Sequence, residues 1–195
     1  MTMAENTTFF KSSPESDIAE ILISGEEIQK RVTEIAAQID EYYANSPNNL
    51  ILLGILKGSV VFLSDLMKKI KSPVEIDFMK VSSYSSGSVS SGTVTIILDI
   101  HRQDFNKCDI LIIEDIIDSG RTLSYLTNYL KLKGAASVHT CTLLDKPSRR
   151  EVDFTPDFCG FEIPDKFVVG YGLDYNEKYR ALPYVGVLRD ELYKN

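Results

Sequence analysis

Residues 111–123, Leu-Ile-Ile-Glu-Asp-Ile-Ile-Asp-Ser-Gly-Arg-Thr-Leu, carry the side chains best suited to chemistry. An apolar run of strand length ends in two adjacent carboxylates, Glu114 and Asp115, and a small-residue turn then opens a helix. The first backbone N–H groups of a helix lack internal partners and the helix dipole favours an anion there. The turn made by Asp118, Ser119, Gly120, Arg121 and Thr122 therefore fits a phosphate monoester. Glu114 and Asp115, expected just past the carboxyl end of the strand, are placed to accept hydrogen bonds from sugar hydroxyls. A plain strand-to-helix turn accounts for Ser119 and Gly120. It does not account for two ionisable groups ending an apolar strand, where charge is costly unless paired. The pattern is that of a sugar-phosphate site.

The elements that must position these groups are legible around them. Ser24-Gly25-Glu26-Glu27 reads as a capping box, and Ile28, Val32, Ile35 and Ile39 follow at helical spacing until Asn45-Ser46-Pro47 breaks the chain. Residues 50–55 form a short apolar run, 60–70 read as a helix, and 74–81 and 94–98 as strands. Residues 82–92, with seven serines and two glycines in eleven positions, are expected to form a mobile loop. A strand at 110–113, a helix over 121–133 closed by Gly134, and a strand over 137–144 complete the alternation. Continuous apolar strands separated by helices predict an α/β fold, with a mostly parallel sheet covered by helices on both faces. Ligands of such sheets bind at the strands' carboxyl ends, where the segments after Ile55, Ile113 and Leu144 all fall. The tail from residue 154 is rich in Pro, Asp and aromatics and does not continue the alternation.

Composition narrows the function classes. The 195 residues, 44% of them hydrophobic, are expected to form a single domain spanning 1–195. A net charge of 21 − 28 = −7 argues against a broad nucleic-acid or anionic-membrane surface, so an anionic ligand must be held by a few placed cations. The polar start of the chain lacks the apolar core of a signal peptide and no run approaches membrane-spanning length, which predicts a cytoplasmic protein. Cys108, Cys141 and Cys159 are odd in number and widely spaced, as for thiols in a reducing compartment. Neither His101 nor His139 adjoins a serine or cysteine motif that would suggest a nucleophilic triad.

Beyond residues 111–123, several segments occur in a telling order. They are Leu56-Lys57-Gly58, Ser83-Tyr84, Lys146, Pro164-Asp165-Lys166-Phe167-Val168-Val169-Gly170-Tyr171, and Asp174-Tyr175-Asn176-Glu177. Together with Glu114-Asp115-Ile116-Ile117-Asp118-Ser119-Gly120 they resemble the type I phosphoribosyltransferases, and within them the hypoxanthine-guanine phosphoribosyltransferases, from about residue 22 to residue 188. The resemblance implies the type I phosphoribosyltransferase fold: a core over about 24–150, and a small hood built mainly from about 154–195 with an N-terminal segment. It implies transfer of 5-phosphoribosyl from phosphoribosyl pyrophosphate to N9 of hypoxanthine or guanine with Mg2+ present. It also implies an assembly of like subunits, dimer or tetramer.

The same resemblance assigns roles. Lys57, Gly58 and Arg180 match pyrophosphate contacts, with a non-proline cis peptide joining Leu56 to Lys57. Glu114 and Asp115 match ribose contacts, and Asp118 matches the general base at purine N7, a role it would combine with capping the helix. Ser83 and Tyr84 match a catalytic loop that shields the activated ribose from water. Phe167 and Val168 match the stacking ring and the backbone contacts of the base. Asp174 matches a position near the exocyclic amine of guanine and near Mg2+, which Glu114 and Asp115 would also hold, partly through water. Lys146 matches the residue that meets purine O6. An ammonium donates and cannot accept, so it pairs with a 6-oxo group and is mismatched to the 6-amino group of adenine. A sensor of phosphoribosyl pyrophosphate that regulates rather than catalyses is the alternative on the same scaffold. A nucleotide-dependent dehydrogenase is set aside because neither Gly-x-Gly-x-x-Gly nor a Walker motif is present.

Overall fold

The computed structural model describes residues 14–83 and 94–194. After the first strand, β1 (Ile18–Ile23), helix α1 (Gly25–Tyr43) opens on the expected capping box. The Glu27 N–H donates to Ser24 Oγ, and the Ser24 N–H donates to Glu27 Oε2 at 2.9 Å. Ile28, Val32, Ile35 and Ile39 are fully buried along one face of this helix, as their spacing predicts.

Strand β2 (Asn49–Leu56), helix α2 (Ser59–Met67), β3 (Val74–Ser83), β4 (Val94–Leu98), β5 (Cys108–Ile117), α3 (Arg121–Leu132), β6 (Ser137–Asp145) and β7 (Phe158–Glu162) build the main layer. Its strand order is β4-β3-β2-β5-β6-β7, with every neighbouring pair parallel except β3 and β4. Side-chain alternation divides the core into two faces. Leu52, Leu111 and Ile113 pack with Ile28, Phe62 and Leu66 of α1 and α2. Ile51, Leu53, Ile110 and Ile112 pack with Leu123, Leu126 and Leu130 of α3. A second, three-stranded antiparallel sheet joins β1, β9 (Val185–Leu188) and β8 (Val168–Val169) in the order β1-β9-β8. Both ends of the chain therefore contribute to it, as expected of the hood.

Two expectations are corrected here. The tail after residue 154 does continue the alternation once: β7 pairs in parallel with β6, so this stretch is divided between the main sheet and the small one. And β5 runs on to Ile117, so Glu114 and Asp115 lie within the strand rather than past its end. Pairing with β2 stops at Ile113, while pairing with β6 continues through Ile117. The carboxylates thus occupy the stretch where β5 has outrun one neighbour. That place is also where the strand order reverses, since β2 leads outward to β3 on one side and meets β5 on the other. Such switch points open the crevice in which α/β sheets hold ligands.

Candidate functional site

The crevice between β2 and β5 is closed from below by backbone. Leu56–Lys57 is a cis peptide, and the next residue, Gly58, lies directly against Asp115: a methyl carbon at Gly58 would stand 1.6 Å from Asp115 Oδ2. A second close approach stacks on the first, because a methyl carbon at Gly172 would stand 2.1 Å from the Gly58 carbonyl oxygen. Gly172 has φ +102°, a left-handed conformation that glycine adopts at low cost. The loop 57–58 is thereby held between the β5 carboxylates and the turn following β8.

Burial makes the two carboxylates of β5 reluctant to ionise. Asp115 is pushed up to about 6, chiefly by desolvation and against hydrogen bonding from the Ile116 N–H. Glu114 is raised well above the usual carboxylate range by burial and by the adjacent Asp115 charge. Its Oε2 is enclosed and has no hydrogen-bond partner among the described residues. A pair of buried acids short of donors is suited to accept from hydroxyls or to face a cation.

The cationic side of the crevice comes from the same two loops. Arg180 donates through Nη1 to the Gly172 carbonyl at 2.7 Å, and its Nη2 stands 2.8 Å from Asp174 Oδ1 and 3.2 Å from Glu177 Oε2. Lys57 Nζ donates to Glu177 Oε1 at 2.8 Å. Asp174 also accepts from the Glu177 N–H at 2.9 Å, which fixes the turn. Lys57, Gly58, Asp115, Asp174 and Arg180, far apart in sequence, are therefore brought together. Among the described residues no three His, Cys, Asp or Glu side chains gather closely enough to hold a metal ion alone.

At the next stretch of β5 the chain turns into α3. The expected cap at Asp118 is corrected: the helix starts at Arg121 with Gly120 as its N-cap, at φ +79° and without a side-chain cap. A side chain at Gly120 would crowd Arg150, Val152 and Phe154, so the left-handed turn is filled from outside. Relieved of capping, Asp118 is half exposed and turned toward Lys146, whose Nζ lies 3.9 Å from Asp118 Oδ1 and 3.9 Å from Asp165 Oδ1. Lys146 is only 7% exposed. Its own N–H donates to the Ile117 carbonyl at 3.0 Å, which ties it to the end of β5. Ser119, Arg121 and Thr122 lie in the expected turn, with the Arg121 N–H directed at Ser119 Oγ and its guanidinium paired with Glu151.

Phe167 stacks on Tyr193 with ring centroids 4.5 Å apart and meets Tyr175 edge-on, while Val168 is buried in β8. Ser83 ends β3; Tyr84 and the rest of the Ser-rich segment to Gly92 lie outside the described residues. Three residues of the site had no role in the sequence reading. Arg150 donates to the Asp118 carbonyl and to Asp145, bracing the turn at 118–122 against the end of β6. Asp165 shares Lys146 with Asp118, and Glu177 bridges Lys57 and Arg180. Asp165 and Glu177 stood inside quoted segments; nothing local distinguishes Arg150 from its neighbour Arg149.

Residues 20–176 match the phosphoribosyl transferase domain family. The hypoxanthine-guanine phosphoribosyltransferase of Bacillus subtilis is 53% identical over 180 residues, 92% of this chain and 98% of that protein. The bifunctional protein TilS/HprT of Listeria monocytogenes is 48% identical over 181 residues, 93% of this chain and 28% of that protein. The chain thus covers little more than a quarter of that relative's length. A crystal structure of a hypoxanthine phosphoribosyltransferase from Staphylococcus aureus superposes with a TM-score of 0.88 at 47% identity, covering 95% of this chain and all of that one. The matched span contains β2, β5, β6 and the carboxylates and loops set on them. By fold and sequence, the chain belongs to the phosphoribosyltransferase family, in its hypoxanthine-guanine branch.

Proposed function

We propose that the protein transfers 5-phosphoribosyl from phosphoribosyl pyrophosphate to N9 of a 6-oxopurine, forming IMP or GMP and releasing pyrophosphate. The observation that carries this reading is the buried Lys146 ammonium, set between Asp118 and Asp165 just past the end of β6, the strand next to Glu114 and Asp115. A buried cation that can only donate selects an acceptor such as a purine 6-oxo oxygen. Asp118, 3.9 Å from it, is positioned to take the N7 proton as the N9–C1 bond forms. Glu114 and Asp115 accept from the ribose 2- and 3-hydroxyls and oppose the positive charge that develops at C1 as pyrophosphate leaves. Backbone N–H groups of Ser119, Gly120, Arg121 and Thr122 hold the 5-phosphate. Lys57, Gly58 and Arg180 receive the pyrophosphate, and Phe167 and Val168 the base.

Mg2+ fits the same residues. Glu114, with an oxygen that lacks a hydrogen-bond partner among the described residues, Asp115 and Asp174 each offer hard carboxylate oxygens, and Asp174 already answers Arg180 at 2.8 Å. With no three-carboxylate cage among the described residues, the ion would be shared with diphosphate oxygens, and would neutralise the leaving group. Self-association belongs to the same proposal, supported by exposed Ile97 and Leu98 on the edge strand β4; sedimentation across a concentration series tests it. Catalysis is tested by incubating the protein with phosphoribosyl pyrophosphate, Mg2+ and hypoxanthine, guanine, xanthine or adenine. Nucleotide and pyrophosphate should appear with 6-oxopurines, and formation of neither with any base would refute the reading.

A further inference from the structure

Lys57 and Arg180 come from loops 123 positions apart, yet one carboxylate answers both. Glu177 Oε1 accepts from Lys57 Nζ at 2.8 Å, and Glu177 Oε2 lies 3.2 Å from Arg180 Nη2. The side chain is 64% exposed, so it serves no packing purpose. Its backbone is held in place nonetheless: Glu177 has φ +63°, and Asn176 and Tyr179 beside it are also left-handed without being glycine. Non-glycine residues adopt this conformation at an energetic cost that persists where the surroundings impose it, often at ligand clamps. The two cations hold the Glu177 carboxyl below its ordinary range, Lys57 more than Arg180.

We propose that Glu177 is a positioning residue that stands in for the diphosphate, keeping Lys57 and Arg180 aligned until the ligand displaces it from both. The inference rests on the transferase reading, in which these two cations face diphosphate. Solvent-exposed ion pairs are individually weak, so the contact orients the two long side chains without locking them. Once displaced, the carboxylate remains close to the bound diphosphate and repels it. Glu177 therefore weakens pyrophosphate binding and hastens its departure.

The experiment is titration of inorganic pyrophosphate with Mg2+ into the parent protein, Glu177→Gln, Glu177→Asp and Lys57→Ala, with steady-state kinetics on each. Glu177→Gln should lower the pyrophosphate Kd and the KM for phosphoribosyl pyrophosphate by about 3–10-fold, the effect of removing one nearby screened charge. The purine KM should stay unchanged, and the gain should shrink at high salt. Glu177→Asp keeps the repelling charge and should give no tightening. A Kd for Glu177→Gln equal to or above the parent's, while Lys57→Ala binds more weakly than the parent, would overturn this inference alone. Equal binding by Lys57→Ala and the parent would overturn the pyrophosphate assignment of Lys57 and the inference with it.

Discussion

Gly58 and Asp115 touch so closely that a methyl carbon on the first would stand 1.6 Å from the carboxylate oxygen of the second. The loop proposed to receive pyrophosphate and the carboxylates proposed to hold the ribose are therefore set by one contact. Gly58→Ala must turn the Asp115 carboxylate away or lift the loop, and displacement of about 1 Å at a reacting centre costs on the order of 10²-fold in rate. Initial rates should show kcat/KM for phosphoribosyl pyrophosphate falling by about that factor. A loss of only a few-fold would mean that Asp115 does not need this place.

The raised proton affinity of Asp115 gives stability a pH dependence of definite sign. The folded carboxyl keeps its proton up to about pH 6, whereas an unfolded one releases it near pH 4. The stability it contributes is complete below that lower value and is lost as pH rises through about 6, and Glu114 acts in the same direction. Asp115→Asn should consequently stabilise the unliganded protein at pH 8 by about 1–3 kcal/mol, with little effect at pH 4, while impairing turnover. Thermal unfolding of both proteins across this range is the check, and a variant less stable than the parent at pH 8 would count against the buried-acid account.

Asp118 is 49% exposed on its side chain and does not cap α3. Asp118→Asn should leave stability within about 0.5 kcal/mol of the parent and lower kcat by about 10²–10⁴, the range for removing a general acid or base. Turnover within a few-fold of the parent would take Asp118 out of the proton transfer.

Arg150 fastens the turn at 118–122, proposed to hold the 5-phosphate, to β6 through Asp118 and the largely buried Asp145. Arg150→Met keeps the stem but leaves the Asp145 carboxylate without its cation, a loss of about 2–4 kcal/mol by analogy with other broken buried pairs. The melting temperature should fall and KM for phosphoribosyl pyrophosphate should rise about 10-fold, as the turn loosens. An unchanged KM in the folded variant would make Arg150 a stabilising residue only.

What could be read in the sequence, and what could not, divides by the range of the interactions. The α1 capping box, the α3 stop at Gly134 and the apolar strands β2 and β6 are local patterns, and each forms where those patterns lie. Asp-Ser-Gly fits a cap at Asp118 locally, yet Gly120 takes that place, in a left-handed turn where Arg150, Val152 and Phe154 leave little room for a side chain. Two adjacent carboxylates have the local pattern of a strand terminus, while pairing with β6, a long-range contact, carries β5 through them. The shared grip of Glu177 on Lys57 and Arg180 arises only when β2 and the turn after β8 are folded together.

Competition between hypoxanthine and adenine tests most directly whether the buried Lys146 ammonium admits a base through its 6-oxo group. With phosphoribosyl pyrophosphate and Mg2+ in excess, the ratio of kcat/KM for the two bases should favour hypoxanthine by roughly 10⁴ or more. That is the discrimination expected where a mismatched analogue leaves a buried polar group unpaired. Comparable efficiencies for the two bases would contradict the assignment of Lys146 and the account built on it.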